Sequence, residues 1–98
     1  MMHAVVSGTG SYLPRKELRN DELADRLDTS HEWIFSRTGI ASRHIADPEQ
    51  GESTAFMASY AAKKAIENAG ITPQEIDLIL VATCTPDQFF PSTASLIF

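Results

Sequence analysis

The segment from Ile76 to Thr83 (IDLILVAT) is an almost unbroken apolar run, and no other stretch restricts the fold as strongly. A run this short and continuous is the pattern of a central strand covered on both faces, since a half-exposed strand alternates apolar with polar residues. Such a strand needs a layer of structure on each side. One long helix is legible, from Thr54 to Ala69, opened by Ser53 or Thr54 and closed by Gly70 as the residue after its C-cap. Its Ala58, Ala61, Ala62, Ala65 and Ala69 fall at spacings of three and four. That stripe of small residues lets another backbone approach closely, so the helix is expected to pack deep against sheet or helix. A single long helix cannot cover both faces of a strand. The chain therefore reads as α/β and as a piece of something larger.

The remaining segments are shorter. His3 to Ser7 (HAVVS) is a strand candidate, and Pro14 ends extended pairing after it. Asn20 reads as an N-cap, with Asp21 and Glu22 at the positive end of the helix dipole and Leu23/Leu27 at i, i+4. A second short helix starts at Ser30, carries Glu32 in its first turn, runs to about Arg37 and is broken by Gly39. Residues 40–46 are read as extended, Asp47 to Glu52 as an exposed loop, and 72–75 as a turn. Ser92 is read as the N-cap of a last helix over Thr93 to Phe98, too short to be stable alone. No repeat, low-complexity tract or interdomain linker divides the 98 residues.

Charge and composition exclude several functions. Eight Lys+Arg against thirteen Asp+Glu leave a net charge of -5, which argues against a phosphate-backbone binder needing a basic face. No apolar run approaches the roughly 18 residues of a membrane-spanning helix. The N-terminus lacks the basic start and apolar centre of a signal peptide. The single cysteine, Cys84, excludes an internal disulfide framework and fits a reducing, cytosolic compartment.

Several motifs suggest chemistry, and most have a plainer reading. Gly8-Thr9-Gly10-Ser11-Tyr12-Leu13 opens like a dinucleotide fingerprint, but Leu13 stands in place of the third glycine and Pro14 where a helix should begin. The favoured reading is a strand bend with close backbone approach. His31-Glu32-Trp33-Ile34-Phe35 is half a zinc-protease motif with Phe35 at the second ligand position, so no metal is expected. Cys84 follows the buried strand at its carboxyl end, where α/β sites form, yet no helix start lies there to activate a thiol. A structural or pocket-lining role is favoured for it. Trp33 and Arg37 lie i, i+4 on the short helix, so indole and guanidinium point the same way. Two readings stay open for them: a stacking and phosphate-holding pair, or a core tryptophan beside a surface arginine. Phe89-Phe90-Pro91 offers adjacent aromatics for an acyl pocket, a subunit interface or core cover.

Taken together, the segments resemble the N-terminal part of the β-ketoacyl-acyl-carrier-protein synthase III family. The residues that carry the likeness are Gly8 to Pro14, Asp28 to Ile34, Arg37-Thr38-Gly39-Ile40, Arg43-His44-Ile45 and Ala65-Ile66 through Gly70. Ile76 to Ile79, Val81-Ala82-Thr83 and Phe90-Pro91-Ser92 complete it, so the likeness runs through essentially the whole chain in order. It implies a thiolase-like fold, in which two similar α/β halves stack as five layers (αβαβα) and pair as a homodimer. Residues 1–98 would be the N-terminal portion of the first half-domain, with the second half absent. The implied activity is the initiating condensation of type II fatty acid synthesis. An active-site cysteine takes a short acyl group, acetyl by expectation, from acyl-CoA and condenses it with malonyl-acyl-carrier protein, losing carbon dioxide. Acyl-CoA is a substrate, and no cofactor is implied.

By position, Thr29, Trp33 and Arg37 match the residues that contact the adenine and phosphate end of coenzyme A. Cys84 matches a position lining the acyl pocket and not the nucleophile, and Phe90 an aromatic that reaches across the dimer to the partner's acyl pocket. The implied nucleophilic cysteine, histidine and asparagine lie beyond position 98, so no catalytic residue is assigned here and this chain alone is expected to be inactive. Related condensing enzymes, making polyketide, alkylquinolone or hydroxymethylglutaryl-CoA products, are the alternative parents. A non-catalytic binding or interaction module is the reading from a different class.

Overall fold

A computed structural model describes residues 2–97. The elements follow in the order β1 (Lys16–Arg19), α1 (Asn20–Ala24), α2 (His31–Thr38), β2 (Ser42–Ile45), α3 (Thr54–Ala69) and α4 (Thr93–Ile97), with 3-10 turns at Pro48–Gln50 and Pro73–Glu75. β1 and β2 form an antiparallel pair in which Lys16 faces Ile45 and Arg19 faces Ser42. Nothing in the charged string KELR marks β1 as a strand. It becomes one because residues 42–45, expected to be extended, return alongside it.

The helices end for local reasons. Ser30 Oγ accepts from Trp33 N–H at 3.1 Å to open α2, and Gly39 closes it at φ 72°. Ser53 Oγ accepts from Phe56 N–H at the start of α3, and Gly70 closes that helix at φ 71°. Both glycines take the left-handed conformation that other residues enter only with strain. α4 begins after Ser92, whose hydroxyl accepts from Ser95 N–H. The expected end of that helix at Phe98 lies outside the described residues.

The alanine stripe of α3 does receive a backbone. A Cβ built on Gly8 would lie 2.7 Å from Ala69 N, and one on Gly10 would lie 2.6 Å from Ala65 N. The glycines of the Gly-Thr-Gly string therefore serve close approach, as expected from the sequence. Asn68 Nδ2 fastens the contact by donating to the Thr9 carbonyl at 2.8 Å.

Four expectations need correction. Residues 3–7 and 76–83 form no strands: neither joins the two-stranded sheet, and Val5, Val6, Leu78 and Leu80 are exposed. A strand exists only through a ladder partner, and among the described residues neither segment has one. Asn20 is not an N-cap. Arg19 takes that position, its N–H donating to Glu22 Oε2 at 2.8 Å, while Asn20 is wholly buried. The 47–52 segment is not simply an exposed loop, because a 3-10 turn shapes it and Glu52 is buried. Finally, α3 has no fully buried residue, so its packing is shallow.

No apolar side chain among the described residues is buried. The three buried residues are Asn20, Glu52 and Thr93, all polar. The radius of gyration is 17.4 Å, against about 13 Å for a closed domain of this length.

Candidate functional site

An open cleft of about 650 Å³ lies between α1 and α2. Leu23, Leu27 and Ile34 give it apolar lining, and Asp28, Thr29, Ser30 and Trp33 complete it. Thr29 Oγ1 is screened from solvent and has no hydrogen-bond partner among the described residues. A shielded hydroxyl with a free donor and acceptor is costly unless something meets it.

Trp33 is 55% exposed and so is not a core tryptophan. The Arg37 guanidinium carbon sits 4.6 Å from the indole centroid, which makes a cation–π stack across one helical turn. Inserting a flat ring between them would need about 7 Å, two van der Waals contacts of about 3.5 Å each. A stacked ligand must therefore lie on the other face of the indole, with Arg37 backing it, or displace the guanidinium. Two of the three residues singled out for coenzyme A thus share one cleft, and the third stacks on it.

Cys84 and Phe90 lie elsewhere. Cys84 is an exposed free thiol and Phe90 is 91% exposed. A smaller hollow of about 210 Å³ nearby is lined by Val81, Thr83, Phe89 and Thr93 among others, and by neither of the two. Their loop is tied to the start of α3. The Asp87 carboxylate accepts from Ala55 N–H at 3.1 Å, and Thr54 Oγ1 donates to the Thr85 carbonyl at 2.8 Å. An anion at a helix N-terminus meets both the free N–H groups and the positive end of the dipole.

Two polar centres escaped the sequence reading. Around Asn20, Nδ2 donates to the Ile40 carbonyl at 2.7 Å and meets His31 Nδ1 at 3.1 Å, while Oδ1 accepts from Arg43 Nη2 at 2.6 Å. Around Glu52, Oε2 accepts from the Tyr12 hydroxyl and from Arg15 N–H at 3.1 Å, and Oε1 accepts from Asp47 N–H at 3.2 Å. The Tyr12 hydrogen bond, with the two backbone donors, holds the Glu52 carboxyl below its ordinary range. The same bond to Glu52 raises the Tyr12 phenol. Apart from Asp47, five residues from Glu52, the partners lie 11 to 40 residues apart and leave no spacing signal in the sequence. Among the described residues, no group of three His, Cys, Asp or Glu could hold a metal ion. Nor, among the described residues, is any helix long and apolar enough to cross a membrane.

With this geometry in view, the chain can be compared with known proteins. It is 54% identical over 97 residues to the β-ketoacyl-acyl-carrier-protein synthase III of Neisseria meningitidis serogroup A, covering 99% of this chain. It is 55% identical over 97 residues to that of Rhizorhabdus wittichii. In sequence and in backbone, the chain is similar to part of a synthase III. The crystal structure of the Aquifex aeolicus 3-oxoacyl-acyl-carrier-protein synthase III superposes with a TM-score of 0.85 at 50% identity, over 92% of this chain and 28% of that one. The priming β-ketosynthase of a polyketide pathway superposes at 0.87 with 43% identity, over 94% of this chain and 27% of that one. No family model matches. The chain spans about 30% of the length of the curated synthase III relatives it matches. The fold is thus a part of the thiolase-like α/β architecture, as the synthase III resemblance implied.

Proposed function

We propose that residues 1–98 belong to the first half-domain of a synthase III-type condensing enzyme and supply one wall of its coenzyme A site. The reaction is transfer of a short acyl group, acetyl in the first instance, from acyl-CoA to an enzyme cysteine. Condensation with malonyl-acyl-carrier protein and loss of carbon dioxide follow. The cysteine, histidine and asparagine that do this work lie beyond position 98. The chain's own residues bind and orient the thioester substrate. Thr29 offers its shielded hydroxyl, Trp33 stacks the adenine, and Arg37 holds phosphate charge while backing the indole. Cys84 and Phe90 are assigned to the acyl end, Phe90 toward a partner subunit in a cytoplasmic homodimer. Acyl-CoA is consumed as substrate, with no cofactor, nucleic acid or membrane involved.

The observation that carries this reading is the open cleft in which Thr29 and the Arg37-backed Trp33 meet. Trp33 is the only tryptophan in the sequence, so coenzyme A binding should quench its fluorescence. In the full-length protein, Trp33→Ala should raise KM for acyl-CoA about 10- to 30-fold, the loss expected for one well-formed stacking contact. Arg37→Ala should act in the same direction. Malonyl-carrier use should change little; equal losses on both substrates would contradict the site.

The superposition on a priming polyketide ketosynthase supports a second reading within the same fold: a condensing enzyme that starts a polyketide rather than a fatty acid. Primer competition separates the two. Preference for acetyl-CoA supports fatty acid initiation, and preference for longer or aromatic acyl-CoA supports the polyketide role.

A further inference from the structure

Helix α2 carries Trp33 and Arg37, yet none of its residues is buried by the described residues, so within this part of the fold apolar packing does not fix its position. What holds it is polar. Asn20, wholly buried, donates from one side-chain nitrogen to both ends of the helix: to His31, its first residue, at 3.1 Å, and to the carbonyl of Ile40, just past its C-cap Gly39, at 2.7 Å. Asn20 N–H adds a bond to the Ala41 carbonyl at 3.0 Å. On the other side, Arg43 of β2 donates to Asn20 Oδ1 at 2.6 Å and to the Leu18 carbonyl of β1 at 3.1 Å.

The partners fix the amide orientation. Arg43 can only donate and a carbonyl can only accept, so Oδ1 must face Arg43 and Nδ2 must face Ile40. The second Nδ2 proton then points at His31 Nδ1, which must accept. His31 therefore carries its proton on Nε2.

We propose that Asn20 is the positioning residue of the acyl-CoA site: one buried amide that sets both ends of α2 against the β1–β2 pair and so places Trp33 and Arg37. This rests on the coenzyme A reading of the cleft. Asn20→Asp tests it in the full-length protein. The carboxylate keeps the shape and still accepts from Arg43, but it can donate to neither Ile40 nor His31. Leaving the Ile40 carbonyl unmet and facing a carboxylate, and forcing His31 to change its tautomer, should raise KM for acetyl-CoA about tenfold, with kcat/KM for malonyl-acyl-carrier protein within about twofold of wild type. Asn20→Ser, which restores one donor, should recover part of the loss. Equal loss on both substrates would reduce Asn20 to general structural support and overturn the role.

Nitrogen-15 NMR of the His31 ring gives a readout that needs no variant. The Nε2–H tautomer is expected in the wild type, and an Nδ1–H tautomer there overturns the arrangement. In Asn20→Asp the proton should move to Nδ1, facing the new acceptor. Trp33→Ala, run in parallel, separates the two layers. If it loses acetyl-CoA use while Asn20→Asp does not, the positioning role fails and the site stands. If Trp33→Ala leaves acetyl-CoA use untouched, the site itself fails, and the role given to Asn20 fails with it.

Discussion

Glu52 shows how much one side chain can organise when no apolar core is present. Its two oxygens gather Tyr12 and Arg15 from the N-terminal segment and Asp47 from the turn before α3. The carboxyl is held below its ordinary value of 4.5, because the hydrogen bonds favour the charged form. A depressed carboxyl contributes stability that is fully present above its unfolded value and is lost as pH falls through the folded one. Thermal stability of the full-length protein should therefore decline below about pH 4.5 in the wild type and much less in Glu52→Gln, compared by melting from pH 7 to pH 3. Parallel curves for the two proteins would contradict this. Tyr12 works from the opposite side: its raised phenol keeps its proton in the folded state, so this stabilisation is lost as pH rises above 10.

Between elements, contact is made by backbone. Gly8 and Gly10 lie so close to α3 that an added methyl group would meet main-chain atoms of residues 61 to 69. Main chain cannot swing aside as a flexible side chain does. Gly10→Ala should cost about 1–3 kcal/mol in denaturant unfolding of the full-length protein, the usual range for forced overpacking. An unchanged midpoint would show that the N-terminal segment does not hold to α3 in solution. At the other end of the same helix contact, Asp87 anchors the loop carrying Cys84 to the first turn of α3. Asp87→Ala removes that hydrogen bond at the helix start, beside the Ser53 cap, and should cost about 0.5–2 kcal/mol. It should also loosen the 83–90 loop, read as faster amide exchange at Ala55 and along the loop.

On the scale of the whole molecule, the described residues enclose no apolar core, and Leu78, Leu80, Phe89 and Phe90 are each more than 70% exposed. A chain with a radius of gyration of 17.4 Å and only polar residues buried lacks the main favourable contribution to folding. The 98-residue chain by itself should therefore self-associate at micromolar concentration and unfold without a sharp transition. Sedimentation and thermal melting test this, and a clean monomer with a cooperative transition would contradict it. In full-length protein the amides of residues 76–83 should exchange slowly, and in the 98-residue chain fast, because only there do they lack ladder partners. Equal exchange in both would argue against a covered central strand.

Local sequence determined whatever depends on neighbours three or four residues away. α2 and α3 with their serine caps and glycine stops, the placement of Trp33 and Arg37 on one helical face and the close approach at Gly8 and Gly10 were legible in the sequence. These features follow from helix periodicity, cap chemistry and the absence of a Cβ, which a linear string displays directly. The tertiary structure decided what depends on distant partners. It made a strand of the charged residues Lys16–Arg19, turned Asn20 from an expected cap into a buried hub, and drew Glu52 out of a loop into a three-way clamp. It also left Ile76 to Thr83 unpaired despite its apolar pattern. The reason is the same in each case: a ladder, a hub or a clamp needs a partner tens of residues away, and hydrophobic periodicity records that a surface wants covering without recording what covers it.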